Sequence, residues 1–359
     1  MPDFRWEDEI LGKVRQQDWL EIGAQAPTRQ NDPIDQLFGD EKTDNLVAKW
    51  ESIASEYGIP VMAQFHAFDT EAKTALRIPI DTRSIEKGLI KVKINQSERL
   101  RELNRSGVTG NQELYNYVMD DGIRLADRVI TRTKVAKNEL MATGKVTIHE
   151  NNQNLTVDYG VPAAHVAYQI DLDEDADVAA AIQAIIDEAS DNGVVINGML
   201  TSRKVLTKLR QNKTLQTAIN GNIGAGALVN QSALRAYLED EFGINTVITN
   251  DLQYGASESI GSDDRPVIVK KRYFPNDKIT FFATNPGGRL GVGLWGNPPE
   301  VDAANFFPVN ESDLDPFVYI MQWMEKDPAV LWTKASGLFM PVLFDPNSLF
   351  IATTIDTGA

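Results

Sequence analysis

Residues 111–141, NQELYNYVMDDGIRLADRVITRTKVAKNELM, decide how the chain is read. Leu114, Val118, Leu125, Val129, Ala136 and Leu140 follow one another at steps of four, seven, four, seven and four, which is one apolar stripe on a helix. Arg124, Arg128 and Arg132 recur every fourth residue and form a second, basic stripe on a different face. Gly144 supplies the stop signal. At roughly 1.5 Å per residue this is a rod of about 46 Å. An ordinary globular helix is a third to a half as long, so this one serves as a beam for other elements.

On the C-terminal side of the beam, Lys145–Tyr159 (KVTIHENNQNLTVDY) reads as a hairpin, with Val146 and Ile148 alternating before the polar turn and Leu155 and Val157 after it. Helices and strands then alternate. Asp177 opens a helix through Ile182, Ile185, Ile186 and Ala189 that ends at Gly193. Val194–Leu200 is strand-like, and Thr201 or Ser202 caps a helix through Leu209. Ser232–Phe242 reads as a helix, with strands at Ile244–Thr249 and Lys278–Ala283. A mixed sheet flanked by helices is the expectation for Val161 to about Pro316, and aromatic, strand-like chain for Phe317–Ile355.

On the N-terminal side, Leu76–Ile94 reads as a long two-stranded hairpin. Ile78 and Ile80 alternate in one strand and Ile90, Val92 and Ile94 in the other, with Arg83-Ser84-Ile85-Glu86-Lys87-Gly88 as the turn. An isolated hairpin is marginal in water and needs a surface to lie on. The first 60 or so residues carry Trp6, Ile10, Val14 and Trp19 at rough helical spacing, then the proline-broken stretch Gln25–Asp35. They are an arm for a neighbouring chain or a cap on this chain's own core.

Composition narrows the function. Of 359 residues, 42% are apolar and 24% charged, so the chain is globular, with room for one large or two ordinary domains. There is no cysteine, which removes disulfides, thiolate zinc sites and a cysteine nucleophile. Three histidines, His66, His149 and His165, make a histidine-rich metal site hard to assemble. A net charge of −16 argues against a dedicated nucleic-acid binder. That charge is uneven: Arg83–Lys145 holds 13 Lys/Arg and 8 Asp/Glu, a local +5 against −21 elsewhere. Such a block means nucleic-acid contact, pairing with acidic sister surfaces, or a solvated face. No run of 18 apolar residues and no secretory leader is expected.

The search for catalytic motifs returns little. Asp171-Leu172-Asp173-Glu174-Asp175 opens like a calcium loop but has Ala176 and Ile182 where glycine and glutamate belong. Gly221–Gly226 (GNIGAG) misses the dinucleotide spacing and reads as a surface loop. His149-Glu150 has no second histidine four residues on, and no GxSxG elbow exists. No catalytic, cofactor-binding or metal-binding residue is assigned.

The order of elements resembles the shell fold of tailed-bacteriophage major capsid proteins, and most closely the lambda-type major capsid protein family. The resemblance rests on Glu139–Lys145 (ELMATGK) leading into the hairpin, Leu155–Gly160 (LTVDYG) closing it and Gly288–Glu300 (GRLGVGLWGNPPE). It also rests on Asp327–Val330 (DPAV) with Pro341-Val342-Leu343 and Pro346-Asn347. It implies an α+β, HK97-like capsid fold. Residues 1–66 would be an N-terminal arm, 67–110 an extended loop over the adjacent subunit, and 111–160 the spine helix and hairpin of a peripheral domain. Residues 161–316 would be an axial domain and 317–359 strands returning to the peripheral domain.

The same resemblance implies a structural role, not catalysis: an icosahedral shell around double-stranded DNA, in the virion, assembled in the host bacterial cytoplasm. Implied partners are copies of itself as pentamers and hexamers, a scaffolding protein and a portal, with a decoration protein left open, weak non-specific contact with DNA, and no membrane. Arg83, Glu86 and Lys87 at the loop, and Arg124, Arg128 and Arg132 on the beam, are the candidate assembly contacts. A non-viral nanocompartment subunit of the same fold and an acidic α/β hydrolase are the alternatives.

Overall fold

A computed structural model describes residues 32–53, 80–96, 110–150, 153–221, 227–260, 266–302, 306–309, 317–327 and 329–355. The expected Trp6–Trp19 helix and most of the Gly221–Gly226 loop lie outside these residues.

In chain order the first strands are β1 (Phe38–Lys42), β2 (Val47–Ile53), β3 (Ile80–Glu86) and β4 (Gly88–Gln96), followed by the spine helix α1 (Gly110–Thr143). The hairpin β5 (Lys145–Glu150) and β6 (Gln153–Asp158) comes next, then the short α2 (Ala163–Val166) and β7 (Tyr168–Asp171). Then come α3 (Val178–Asp191), β8 (Gly198–Thr201), α4 (Arg203–Gln211), α5 (Lys213–Asn220), α6 (Gln231–Phe242) and β9 (Thr246–Thr249). The ribbon β10 (Gln253–Ile260) and β11 (Pro266–Arg272) leads to β12 (Lys278–Phe282), β13 (Gly291–Gly296), β14 (Phe306–Val309), β15 (Val318–Lys326), β16 (Ala329–Leu343) and β17 (Leu349–Ile355).

The long helix forms where its pattern says, and its apolar stripe is the floor of the first core. Leu125, Val129, Ala136 and Leu140 are all buried. At its end Gly144 has φ 70°, which an L side chain resists, and its amide donates to the Leu140 carbonyl at 2.8 Å. Over the stripe lies a six-stranded sheet, β1-β13-β16-β15-β14 with β4 also on β16. β16 is its axis: residues 331–339 pair with β4 along one edge, while 329–336 pair with β15 and 338–343 with β13 along the other. At the change of partner stands Gly337, where a Cβ would lie 2.9 Å from the Val129 side chain. Glycine there lets the beam approach the sheet.

A second, five-stranded sheet runs β7-β17-β12-β8-β9. Its residues alternate between two cores. Leu349, Ile351, Phe282, Leu200 and Ile248 join the spine-helix core, while Phe350, Ala352, Phe281, Ile279 and Met199 face α3–α6. Covered on both sides, its strands carry continuous apolar runs. The helix caps read from sequence are in place: Asp177 accepts from the Ala180 amide at 3.0 Å, and Ser202 from Val205 at 3.3 Å.

Four expectations are corrected. Residues 32–42, placed in the 1–66 arm by the resemblance, take the other reading and sit on the chain's own core, with Ile34, Leu37 and Phe38 buried and β1 parallel to β13. β3 and β4 are not each other's partners: β3 pairs with β2 and β4 with β16, so Arg83–Glu86 is strand instead of turn. β13, inside the expected axial stretch, belongs to the six-stranded sheet. β17, expected to return to the peripheral sheet, inserts between β7 and β12, because Leu349–Ala352 is apolar on both faces and needs a doubly covered site.

Candidate assembly surfaces

The β2–β3 ribbon leaves the body as a two-stranded sheet of its own, registered from Val47↔Glu86 at its base to Ile53↔Ile80. Its far connection, 54–79, is outside the described residues. Arg83 lies opposite Trp50 in the ribbon, and its side chain is outside the described set. Glu86 is exposed at the base.

Lys87 is corrected as a contact for a neighbour: it is 3% exposed and faces inward. Its Nζ donates to the carbonyls of Thr43 at 2.8 Å and Trp295 at 2.9 Å. Burial pulls its pKa below the ordinary lysine value, with Asp44 opposing. This one residue breaks the strand between β3 and β4 and clamps that break to β1 and β13, so the ribbon has a fixed root. β4 is tied down in turn by Glu300, whose Oε1 binds Lys91 of β4 at 2.6 Å and Lys334 of β16 at 2.5 Å. Burial pushes Glu300 upward, but the two lysines outweigh it and hold its pKa below the usual carboxylate value.

On the beam the two stripes separate as their spacing requires. Arg124 and Arg128 are exposed. Arg132 is half-buried and corrected as a contact for other chains: its Nε lies 2.9 Å from Glu150 Oε1, which docks the β5–β6 hairpin on the helix. Arg128, Arg132, His149, Tyr254, Lys271 and Tyr273 line an open cleft of about 560 Å3 between the helix, β5 and the β10–β11 ribbon.

Sequence reasoning missed the polar joints behind these surfaces. Lys137, 1% exposed, reaches Asp35 at 3.0 Å and Asp40 at 2.9 Å and so straps the 32–42 segment to the beam. Asp32, Asn138 and Asn250 form a buried triangle. Asp32 accepts from Asn138 Nδ2 and Asn250 Nδ2, both at 2.9 Å, and Asn250 Nδ2 also donates to Asn138 Oδ1 at 2.8 Å. Lys137 falls four residues after Thr133 in the buried stripe, a spacing that marks the face but does not foretell a paired cation. The asparagines carry no local signal.

No group of three or more His, Cys, Asp or Glu residues able to hold a metal occurs among the described residues. The acidic loop at 171–175 has a structural occupation: Asn212 Nδ2 donates to the carbonyls of Asp173 and Ala176, and Lys213 pairs with Asp175 at 2.9 Å. His165 is buried with its ring stacked 4.0 Å from Phe350, and burial lowers its pKa, so it packs as a neutral ring. His149 is exposed on the hairpin. What remains is a body with a fixed root for the β2–β3 ribbon, and no convergent reactive groups among the described residues.

A family model described as phage major capsid protein E matches residues 42–354. No curated protein matches at a significant level. Among solved structures, a prophage protein from Escherichia coli CFT073, assigned as its capsid protein, superposes with a TM-score of 0.54 at 14% identity, covering 95% of this chain and 99% of that one. A phage-related protein from Bordetella bronchiseptica RB50 gives a TM-score of 0.51 at 10% identity, covering 93% and 95%. At such identities these structures speak to the α+β fold alone, and the family match supplies the rest. The chain belongs to the phage major capsid protein E family and is an HK97-like major capsid protein of a tailed phage.

Proposed function

We propose that this shell protein assembles into a closed icosahedral head around double-stranded DNA, through pentamers and hexamers formed in the host bacterial cytoplasm. A scaffolding protein and a portal are its implied assembly partners, and a decoration protein remains an open addition. The observation that carries the reading is the β2–β3 ribbon, rooted at Lys87 and paired with no other strand among the described residues. Such ribbons are marginal alone, and a neighbouring subunit is the surface on which 67–110 would lie. Within that scheme α1 with the six-stranded sheet is the peripheral domain, and the five-stranded sheet with α3–α6 is the axial domain at the five- and six-fold positions.

Contact with packaged DNA is weak and non-specific, because a chain of net charge −16 repels phosphate at long range. Negative-stain microscopy and sedimentation of the full chain, alone and with its scaffolding protein, test the proposal. Rings, capsomers or shells are expected. A stable monomer of 39.8 kDa in both conditions would refute it.

A further inference from the structure

Val267, Ile268 and Val269 are 51%, 54% and 49% exposed, the longest run of exposed large apolar side chains among the described residues. They stand on β11, which among the described residues pairs only with β10. An open apolar strand of this kind is an aggregation hazard unless something covers it. The next three residues, Lys270, Lys271 and Arg272, are exposed and basic. Arg272 is held by Asp251 at 3.4 Å and Lys271 faces the cleft beside the spine helix. Lys270 alternates to the opposite face, alongside Ile268.

The complementary patch is on the same chain. The last turn of α6 presents Glu239, Asp240 and Glu241, all exposed. After Gly243 the chain turns into β9, whose Thr246 amide donates to the Asn197 carbonyl at 3.1 Å. That register sets Val195, 81% exposed, at the end of the sheet where α6 finishes. The ribbon carries exposed apolar side chains on both faces, each beside a lysine; the end of α6 carries three exposed acids beside one exposed valine. Both stay exposed within one subunit, so any pairing between them joins two copies.

We propose that the β10–β11 ribbon of one subunit docks on the α6–Val195 surface of the next. Such a head-to-tail contact uses two different patches and gives a ring where the rotation between copies closes. This rests on the shell-building reading above and adds the identity of one of its interfaces. Electrostatic complementarity of this kind sets partner and register.

The test uses the full chain. K270E/K271E should lower the yield of sedimentable particles by at least about tenfold, and E239K/E241K should do the same. The combined variant should recover to within about threefold of the unaltered protein, because the charges are exchanged and not removed. Equal melting temperatures of the unassembled subunits check that folding is intact. In unaltered particles, zero-length amine–carboxyl cross-linking should join Lys270 or Lys271 to residues 239–241 of another copy, and dissociation should abolish those links. Normal yields from both charge-reversed variants, or particles lacking these cross-links, overturn the contact and leave the shell reading standing. Failure of the unaltered protein to form particles overturns the shell reading, and the contact with it.

Discussion

Asn138→Ala tests whether the buried triangle is what holds three parts of the subunit together. Asn138 sits on the spine helix, Asp32 precedes β1, and Asn250 follows β9, tied to Thr201 by its own amide at 3.0 Å. The substitution removes one of the three donors to Asp32, leaving the amides of Ile34 and Asn250. It also removes one of the two acceptors of Asn250. A hydrogen bond to a charged group is worth about 1.5–3 kcal/mol and a neutral one about 1, so a loss of about 2–4 kcal/mol is expected at neutral pH. For a chain of this size that is a fall in Tm of about 3–5 °C.

The pH dependence sharpens the test. Burial already raises the pKa of Asp32 above its ordinary 3.8, while the bonds from Ile34 and Asn138 pull it back. Losing Asn138 raises it further. A carboxyl whose folded pKa exceeds its unfolded one costs stability as pH rises above the unfolded value, and the cost is complete above the folded value. The variant's deficit must therefore grow from acid to neutral pH. Urea unfolding of unassembled subunits followed by circular dichroism at pH 4.5 and 7.5 measures it. Equal deficits at the two pH values, or a neutral deficit below about 1 kcal/mol, would show that the triangle is not the joint described.

Leu125→Ala, on the buried stripe, should cost about 2–5 kcal/mol in urea unfolding, whereas Arg128→Glu on the exposed stripe should cost less than about 1. The Arg128 variant should instead change the salt dependence of particle formation, read by light scattering across ionic strengths. Glu300→Gln should loosen β4 and lower stability by about 1–3 kcal/mol at neutral pH, discounted because Lys91 is 41% exposed. Since Glu300's pKa is depressed in the fold, its contribution is full above the ordinary 4.5 and vanishes as pH falls through the folded value. The Gln variant and the parent should converge in acid, and a gap that persists there counts against the pairing.

Much of the fold was legible because local chemistry wrote it. The beam, its glycine stop, the β5–β6 hairpin and the Asp177 and Ser202 caps depend on neighbours within a few residues. Strand pairing does not. Alternation at Ile80–Ile94 announces strands but not partners, so β3 and β4 read as one hairpin when each joins a distant strand. β17 failed for the same reason, since nothing in Leu349–Ile355 names which sheet needs it. The β10–β11 ribbon went unread, although Val267-Ile268-Val269 is the β-branched run that could have signalled it. Of the candidate contacts, Glu86, Arg124 and Arg128 are exposed, while Lys87 and Arg132 serve this chain's own folding. A sequence shows that a cation is present and leaves unsaid which carbonyl or acid waits for it.

The basic block shows what that distinction costs a functional reading. Arg83–Lys145 carries +5 in a chain of −16, which invites an outward partner such as DNA. Yet five of its cations meet acids outside the block: Glu300 for Lys91, Glu150 for Arg132, Asp35 for Lys134, Asp35 and Asp40 for Lys137, and Asp158 for Lys145. These pairs draw the segment before β2, the hairpin and the Pro299–Asp302 turn onto the beam and its sheet. Exposed ion pairs are each worth about 0–1 kcal/mol, but Lys137 is buried, and removing both Asp35 and Asp40 would leave its charge unpaired in the core. The block thus acts first as the internal fastening of a rigid subunit. Arg124 and Arg128 on the beam and Lys270 on the β11 ribbon lie on the exposed surface of an otherwise acidic chain. Charge reversal at these exposed positions should alter the salt dependence of shell assembly more than the folding of the subunit, because exposed pairs contribute little to folding.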